Sequence, residues 1–194
     1  MKLITHLKTI KRLGRLRKEE NDDFRIYLRE LPFSIKTIDQ AVKTTSDAVS
    51  KRIDCTLCAN CCRKLNPTLT VTDTRRLARH LGMTVNAFTA RYLKKIQQDK
   101  KKLLIFQKRP CPFLKNNCCS IYEFRPHDCR SYPHLTRRGF VFRIRQAVEM
   151  VDVCPIVFNT YETLKNTLAR RIRPAAFACF AIFSSHVLFS AMMG

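Results

Sequence analysis

Four cysteines fall within eight residues, as Cys55-x2-Cys58-x2-Cys61-Cys62. Local turns in a C-x2-C segment bring two thiolates toward one ion without long-range chain closure. A third cysteine three residues on supplies another soft donor. Sulfur-rich sets of this kind select zinc, Cu(I) or iron–sulfur clusters over hard cations. The triplet also matches the start of the bacterial ferredoxin run. Cys62 arrives too early for the x3 spacing of that run, so the full signature is absent. Because Cys61 and Cys62 are adjacent, both need not bind one ion.

A second group follows as Cys111-Pro112, Cys118-Cys119, Cys129 and Cys154-Pro155. Cys179 stands apart in an apolar segment and reads as a small buried hydrophobe. His127 is a candidate ligand, although a lone loop histidine more often serves neither as ligand nor as support. His134 and His80 rank below it, and nothing in the sequence assigns a role to Asp128. Lys51, Arg52, Arg63, Lys64, Arg125 and Arg130 lie close to cysteines in sequence. If close in space they lower thiol pKa values and offset the charge of a multi-thiolate centre; otherwise they form a solvated surface. No secretory signal opens the chain, so a reducing compartment is expected and metal binding outranks disulfides.

Composition narrows the function classes. The chain has 194 residues, 37 Lys and Arg against 15 Asp and Glu, and a formal charge of +22. Its 45% hydrophobic content excludes a wholly disordered basic tail. With 4 glycines and no G-x-G-x-x-G or phosphate-loop motif, a glycine-fingerprint dinucleotide domain is not expected. No H-E-x-x-H helix or hydrolase nucleophile elbow is present either.

The elements that must position the cysteines are read from periodicity. Leu3, Leu7, Ile10 and Leu13 mark a basic amphipathic helix within residues 1–18. Residues 19–54 read as an irregular segment followed by a helix from Ile35 to Val49. Leu69 to Val71 is a short β-type run, after which Thr72 or Asp73 caps a helix that Gly82 ends. Thr84 caps the next helix, with Phe88, Tyr92, Leu93 and Ile96 at three-to-four spacing. A charge run from Arg91 to Arg109 surrounds a turn, and Leu103 to Phe106 reads as a strand. Residues 111–133 are loop-rich and organised by ligands. Gly139 turns the chain into a partly alternating strand, Phe140 to Arg145. Ile156 to Leu168 is helix-compatible. From Pro174 to Gly194 there is no charged residue and the length suffices to cross a bilayer, with Arg170, Arg171 and Arg173 just before it. A buried terminal helix fits the same residues.

The order of these residues resembles the YkgJ-type cysteine-cluster family, a zinc- or iron-chelating domain. Cys55-x2-Cys58-x2-Cys61-Cys62-Arg63 resembles its opening, and LTVTDTRRLARHLGMTVNAFTARYL its strand and two helices. Cys111-Pro112-Phe113-Leu114 and Cys119-Ser120-Ile121-Tyr122-Glu123-x-Arg125-Pro126-x2-Cys129-Arg130-x-Tyr132-Pro133 continue the pattern, which Cys154-Pro155 closes. The resemblance covers roughly residues 50–158. It implies eight metal-ligating cysteines: Cys55, Cys58, Cys61, Cys62, Cys111, Cys119, Cys129 and Cys154. Cys118 is then the supernumerary one. Eight thiolates suit two four-cysteine zinc sites, or one iron–sulfur cluster with cysteines left over. Pro112, Pro126 and Pro155 restrict the backbone beside the ligands. Tyr122 and Tyr132 are positioned to shield the site or donate to sulfur. Arg125 and Arg130 pair with Glu123 or with an anionic partner.

The expected architecture is α+β: a small, irregular, metal-organised domain with short strands and flanking helices. Residues 1–49 form a basic helical extension, 50–158 the cysteine-cluster domain, and 159–194 a C-terminal helix with an apolar tail. The expected function is binding of zinc or iron, the latter also as a 4Fe-4S cluster, in a structural or redox role. One alternative is a basic zinc-containing nucleic-acid-binding protein. Another is a membrane-associated redox or methyl-transfer enzyme, since similar cysteine clusters appear in flagellin lysine methylases. Expected partners are the metal ion, an anionic nucleic acid or lipid, and a membrane reached through residues 174–194. Localisation is expected to be cytoplasmic, with the tail as an anchor to the inner membrane.

Overall fold

The computed structural model describes residues 2–98 and 100–170, with side chains described through 168. The proposed membrane contact, residues 174–194, and Cys179 lie outside the described residues. Among the described residues no helix is long and apolar enough to cross a membrane.

Five helices build one core. They are α1 (Leu7–Leu16), α2 (Lys18–Glu30), α3 (Ile35–Ser50), α9 (Phe140–Met150) and α10 (Pro155–Arg170). Between α3 and α9 lie the short helices α4 (Cys55–Cys58), α5 (Asn60–Lys64) and α8 (His127–Ser131). Helices α6 (Val71–His80) and α7 (Val85–Tyr92), a 3-10 turn (Tyr122–Phe124) and five short strands lie in the same stretch. The architecture is α+β, as expected.

The helical core buries Ile10, Phe24, Leu28, Val42, Ile144, Phe158 and Tyr161. Polar groups fix its register. Asn159 accepts the Ile4 N–H at 2.9 Å and donates to the Ile4 carbonyl at 2.7 Å. The Tyr161 hydroxyl donates to the Asn21 carbonyl at 2.8 Å. Lys165, nearly buried, is held by Glu20 at 2.7 Å and Glu162 at 2.6 Å. Gly14 of α1 approaches Asp152 so closely that an added Cβ would lie 2.7 Å from the Asp152 Cβ.

A second core forms around a three-stranded antiparallel sheet of order β1–β3–β2. Its strands are β1 (Thr68–Leu69), β2 (Leu93–Gln98) and β3 (Lys101–Phe106). Leu69, Leu77, Phe88, Leu93, Phe106 and Phe113 are buried there, with Cys111 and Cys119 packed against them.

Four local readings are corrected. Residues 19–30 are helical, not irregular, because Asn21, Phe24 and Leu28 bury one face of α2. Thr70, not Thr72 or Asp73, caps α6; its hydroxyl accepts from Asp73 N–H at 3.0 Å while Asp73 returns a bond to the Thr70 N–H at 3.1 Å. The helix begun at Thr84 ends at Tyr92, because Leu93 to Gln98 pair with β3. Phe140 to Arg145 is helix, not strand. Asp39 receives the N–H groups of Gly139 and Phe140 at 2.8 Å each and so starts α9. Gly139 permits that start with φ +70°.

Candidate metal centre

The Cys55–Cys62 segment folds as two single turns. Asp54 opens the first by accepting the Thr56 N–H at 2.8 Å. Ala59, left-handed at φ +46°, separates α4 from α5. Helix α5 carries Cys61 and Cys62, whose sulfurs lie 4.0 Å apart. Arg63 donates to the Cys58 carbonyl at 2.9 Å, tying α5 back to α4.

Two bonds bring distant cysteines to this segment. The Cys111 N–H donates to the Cys62 carbonyl at 2.8 Å. The Asn60 side chain donates to the Val153 carbonyl at 2.7 Å, beside Cys154. From Cys111 the chain turns into β4 (Leu114–Lys115), which pairs with β5 (Cys118–Cys119). Alternation along β5 leaves Cys118 exposed and turns Cys119 toward the second core.

Helix α8 supplies Cys129 and is held from below. Asp73 accepts the His127 N–H at 3.1 Å. Arg76 donates to the Arg125 carbonyl at 2.9 Å. Asp128 accepts the Thr68 N–H at 3.0 Å and lies 3.2 Å from His134 Nε2. Burial opposes ionisation of Asp128, but the bonds from His134 and Thr68 hold its carboxyl below the usual range. Asp128, without a role in the sequence, is therefore the residue that fixes α8 to β1. The His127 side chain is exposed, and His80 stacks on Phe124 at 3.8 Å. Arg130 reaches the carbonyl of Glu123 at 3.3 Å, not its carboxylate. The Arg125 guanidinium lies 3.7 Å from the centre of the exposed Tyr122 ring.

The thiols act on one another. Burial pushes the Cys111 thiol up to about 11, with Cys62 and Cys119 adding to the effect. Burial likewise pushes Cys129 up to about 12, reinforced by Cys111, Cys62 and Asp128. Cys119 is raised by burial and by Cys62, against Arg125. Cys55 is raised by burial, Cys58 and Asp54. The contact between the two sulfurs raises the pKa of Cys61 and lowers that of Cys62, the latter with help from Arg63 and Arg125. Cys154 is buried and raised by that burial.

Tyr132 completes the cluster. Its hydroxyl is buried without a closed hydrogen bond. The Cys154 thiol is its neighbour, and each group acts on the ionisation of the other. Burial first, then Cys154, Cys61 and Cys58, keep the phenol protonated. A buried donor with no acceptor is costly, and a thiolate beside it would satisfy it.

The donor set fits a thiophilic metal. Nine cysteines are free among the described residues. Eight of them act on one another's ionisation or on that of Tyr132, and Cys118, which is exposed like Cys55, takes no part. Among the described residues no group of three or more Cys, His, Asp or Glu side chains is placed to hold a metal ion. Asn60 and Asp73 are support residues that cysteine spacing does not reveal. Only the Thr70-x-x-Asp73 capping pattern hints at one of them.

The family model CxxCxxCC matches residues 54–155. No curated protein and no solved structure matches the chain. The match spans the first cysteine turn, both helices of the sheet core and Cys154, and on it the chain belongs to the CxxCxxCC family, described as "Putative zinc- or iron-chelating domain".

Proposed function

We propose that the chain binds zinc or iron through the thiolates of Cys55, Cys58, Cys61, Cys62, Cys111, Cys119, Cys129 and Cys154, and that the ion's role is to lock the short elements together. The buried, unsatisfied Tyr132 hydroxyl beside Cys154 carries this reading. A bound ion supplies cross-links that elements of two to five residues cannot provide for themselves. The chain's own groups prepare the cluster. Arg63 and Arg125 act on Cys62 and favour its thiolate, and Asp73 and Asp128 hold α8 in place.

Anaerobic purification, metal analysis and a visible spectrum test the reading. Stoichiometric zinc in a colourless protein, or iron with sulfur-to-iron charge-transfer absorption, supports it. A folded protein with affinity for neither metal overturns it.

A second, independent reading concerns the β2–β3 hairpin. Arg91, Lys94, Lys95, Lys100, Lys101, Lys102, Lys108 and Arg109 are all exposed on or beside it. Among the described residues none of them forms an ion pair with a carboxylate. Such a surface suits a polyanion, with nucleic acid as the candidate. Its binding would weaken steeply with salt; absence of binding at low salt removes this reading.

A further inference from the structure

We infer that the β2–β3 hairpin enters the major groove of duplex DNA end-on, as a two-stranded ribbon whose lysines meet the phosphates on both sides. The inference rests on the polyanion reading of this hairpin and names the partner and the way it is held.

Strand pairing defines the ribbon. β2 and β3 are joined in register from Leu93 paired with Phe106 to Gln98 paired with Lys101. Among the described residues β1 pairs only with Leu104 and Ile105 of β3. The last three pairs, Ile96 with Leu103, Gln97 with Lys102 and Gln98 with Lys101, therefore extend past β1 as two strands alone. At about 3.3 Å per residue they reach about 10 Å, and a ribbon with its side chains is about 10 Å thick. The major groove of B-form DNA is about 8.5 Å deep and about 12 Å wide, and it admits a two-stranded ribbon.

Alternation distributes the charge. Successive strand residues point to opposite faces, and directly paired residues share a face. Leu93 and Phe106 face the sheet core, so Lys95 and Lys102 lie further out on that same face. Lys94 and Lys101 lie on the other face. All four are exposed. A flat anionic surface such as a membrane meets one face of a ribbon and leaves the other pair of lysines unused. A groove presents a phosphate backbone on each side and uses both pairs. Asp99 is the only acid between Arg91 and Arg109 in the sequence.

The uncharged surface points the same way. Among the described residues the hairpin exposes no aromatic and no large aliphatic side chain. The bases of a single strand would have nothing to stack on, and lipid tails nothing to bury. The deep, narrow major groove of duplex RNA would exclude the ribbon. Arg91 before β2, and Lys108 and Arg109 after β3, are exposed too and continue the cationic surface at the ribbon's base.

Binding of the full-length chain across a salt series tests the inference. The probes are a B-form DNA duplex, one of its single strands, a duplex RNA of the same sequence, and vesicles of phosphatidylcholine and phosphatidylserine. The DNA duplex should bind most tightly, with log affinity falling linearly against log salt. K95Q/K102Q and K94Q/K101Q should each make that slope shallower by about 2, one for each lost phosphate contact. Thermal melting checks that the variants stay folded. Should a pair melt early, the single variants K95Q and K94Q decide in its place, each with a slope shallower by about 1. A slope that only one face's variant changes means that the ribbon lies flat on its partner; it overturns groove entry and leaves the polyanion reading standing. Tighter binding of the single strand, the duplex RNA or the vesicles does the same. A slope that neither variant changes, or no binding of any probe at low salt, ends both.

Discussion

Asp73 Oδ1 accepts the backbone N–H of His127 at 3.1 Å, while its other oxygen accepts the Thr70 N–H at 3.1 Å and hydroxyl at 2.8 Å. One carboxylate thus closes the N-terminus of α6 and holds the segment that leads to Cys129. Burial opposes its ionisation, but the bonds from Thr70, His127 and Arg76 hold its carboxyl below the usual carboxylate range. A buried side chain with this many partners is expensive to lose. Asp73→Ala should destabilise the protein by about 3 kcal/mol, from the lost cap and the charge-assisted bonds. Urea unfolding measures it; a loss within error of zero would show that α8 is held by other means.

The same carboxylate sets a pH window. Its folded pKa is depressed, so its contribution is complete above the unfolded value, about 3.9, and is lost as pH falls through the lower folded value. The stability gap between the parent chain and Asp73→Asn should be constant above about pH 5 and should narrow as pH falls below about 4. A gap that widens on acidification would contradict the assigned bonds.

Tyr132→Phe should act with opposite sign in the two forms of the protein. Without metal it removes a buried hydroxyl that has no bond, so stability should be unchanged or rise by about 1 kcal/mol. With metal it removes a donor to a ligating sulfur, and affinity should fall roughly 10-fold. Thermal melts of stripped protein and competition with a zinc chelator read the two effects separately. Equal loss in both forms would make Tyr132 a packing residue alone.

Gly14→Ala probes the approach of α1 to the turn before Cys154. The added methyl would meet Asp152 Cβ at 2.7 Å and its Cα at 2.9 Å. The overpacking cost is about 1–3 kcal/mol, against a helix-propensity gain of about 1 kcal/mol. A net loss is expected in the urea midpoint. A more stable variant would mean that α1 shifts freely over residue 152.

Cysteine spacing makes the chemistry expected of the centre legible in the sequence, because C-x2-C is a local signal. The helix after Leu69 was legible too, since Leu77, Ala78 and Leu81 fall at helical spacing and Gly82 ends it at φ +63°. Helix α9 was not. Six residues from Phe140 to Arg145 fit alternation as well as a helix, and the deciding cap, Asp39, is 101 residues from Phe140. Leu93 and Ile96 likewise satisfy helical spacing, but pairing of Ile96 with Leu103 overrides it. Which cysteines face each other was hidden for the same reason. It depends on Cys111 meeting Cys62 and on Asn60 meeting Val153, contacts that no periodicity encodes.

Metal removal should loosen the chain unevenly. Elements α4, α5, β4, β5 and α8 span two to five residues each, below the length at which helices or hairpins hold alone. Helices α3 and α10 have 16 residues each and share a packed apolar core. Stripping the metal should therefore speed hydrogen exchange at the amides of Cys111, Ser120 and Arg130, which bond to Cys62, Phe113 and Pro126. The Phe158 amide, bonded to Cys154 at the start of α10, reports on the boundary. It should exchange faster too, while amides deeper in α10 keep their protection. Unchanged exchange throughout would mean that the ion is carried by the fold without supporting it. Uniform acceleration, reaching α3, would mean that the helical core also depends on the cysteines and that the two cores unfold as one unit.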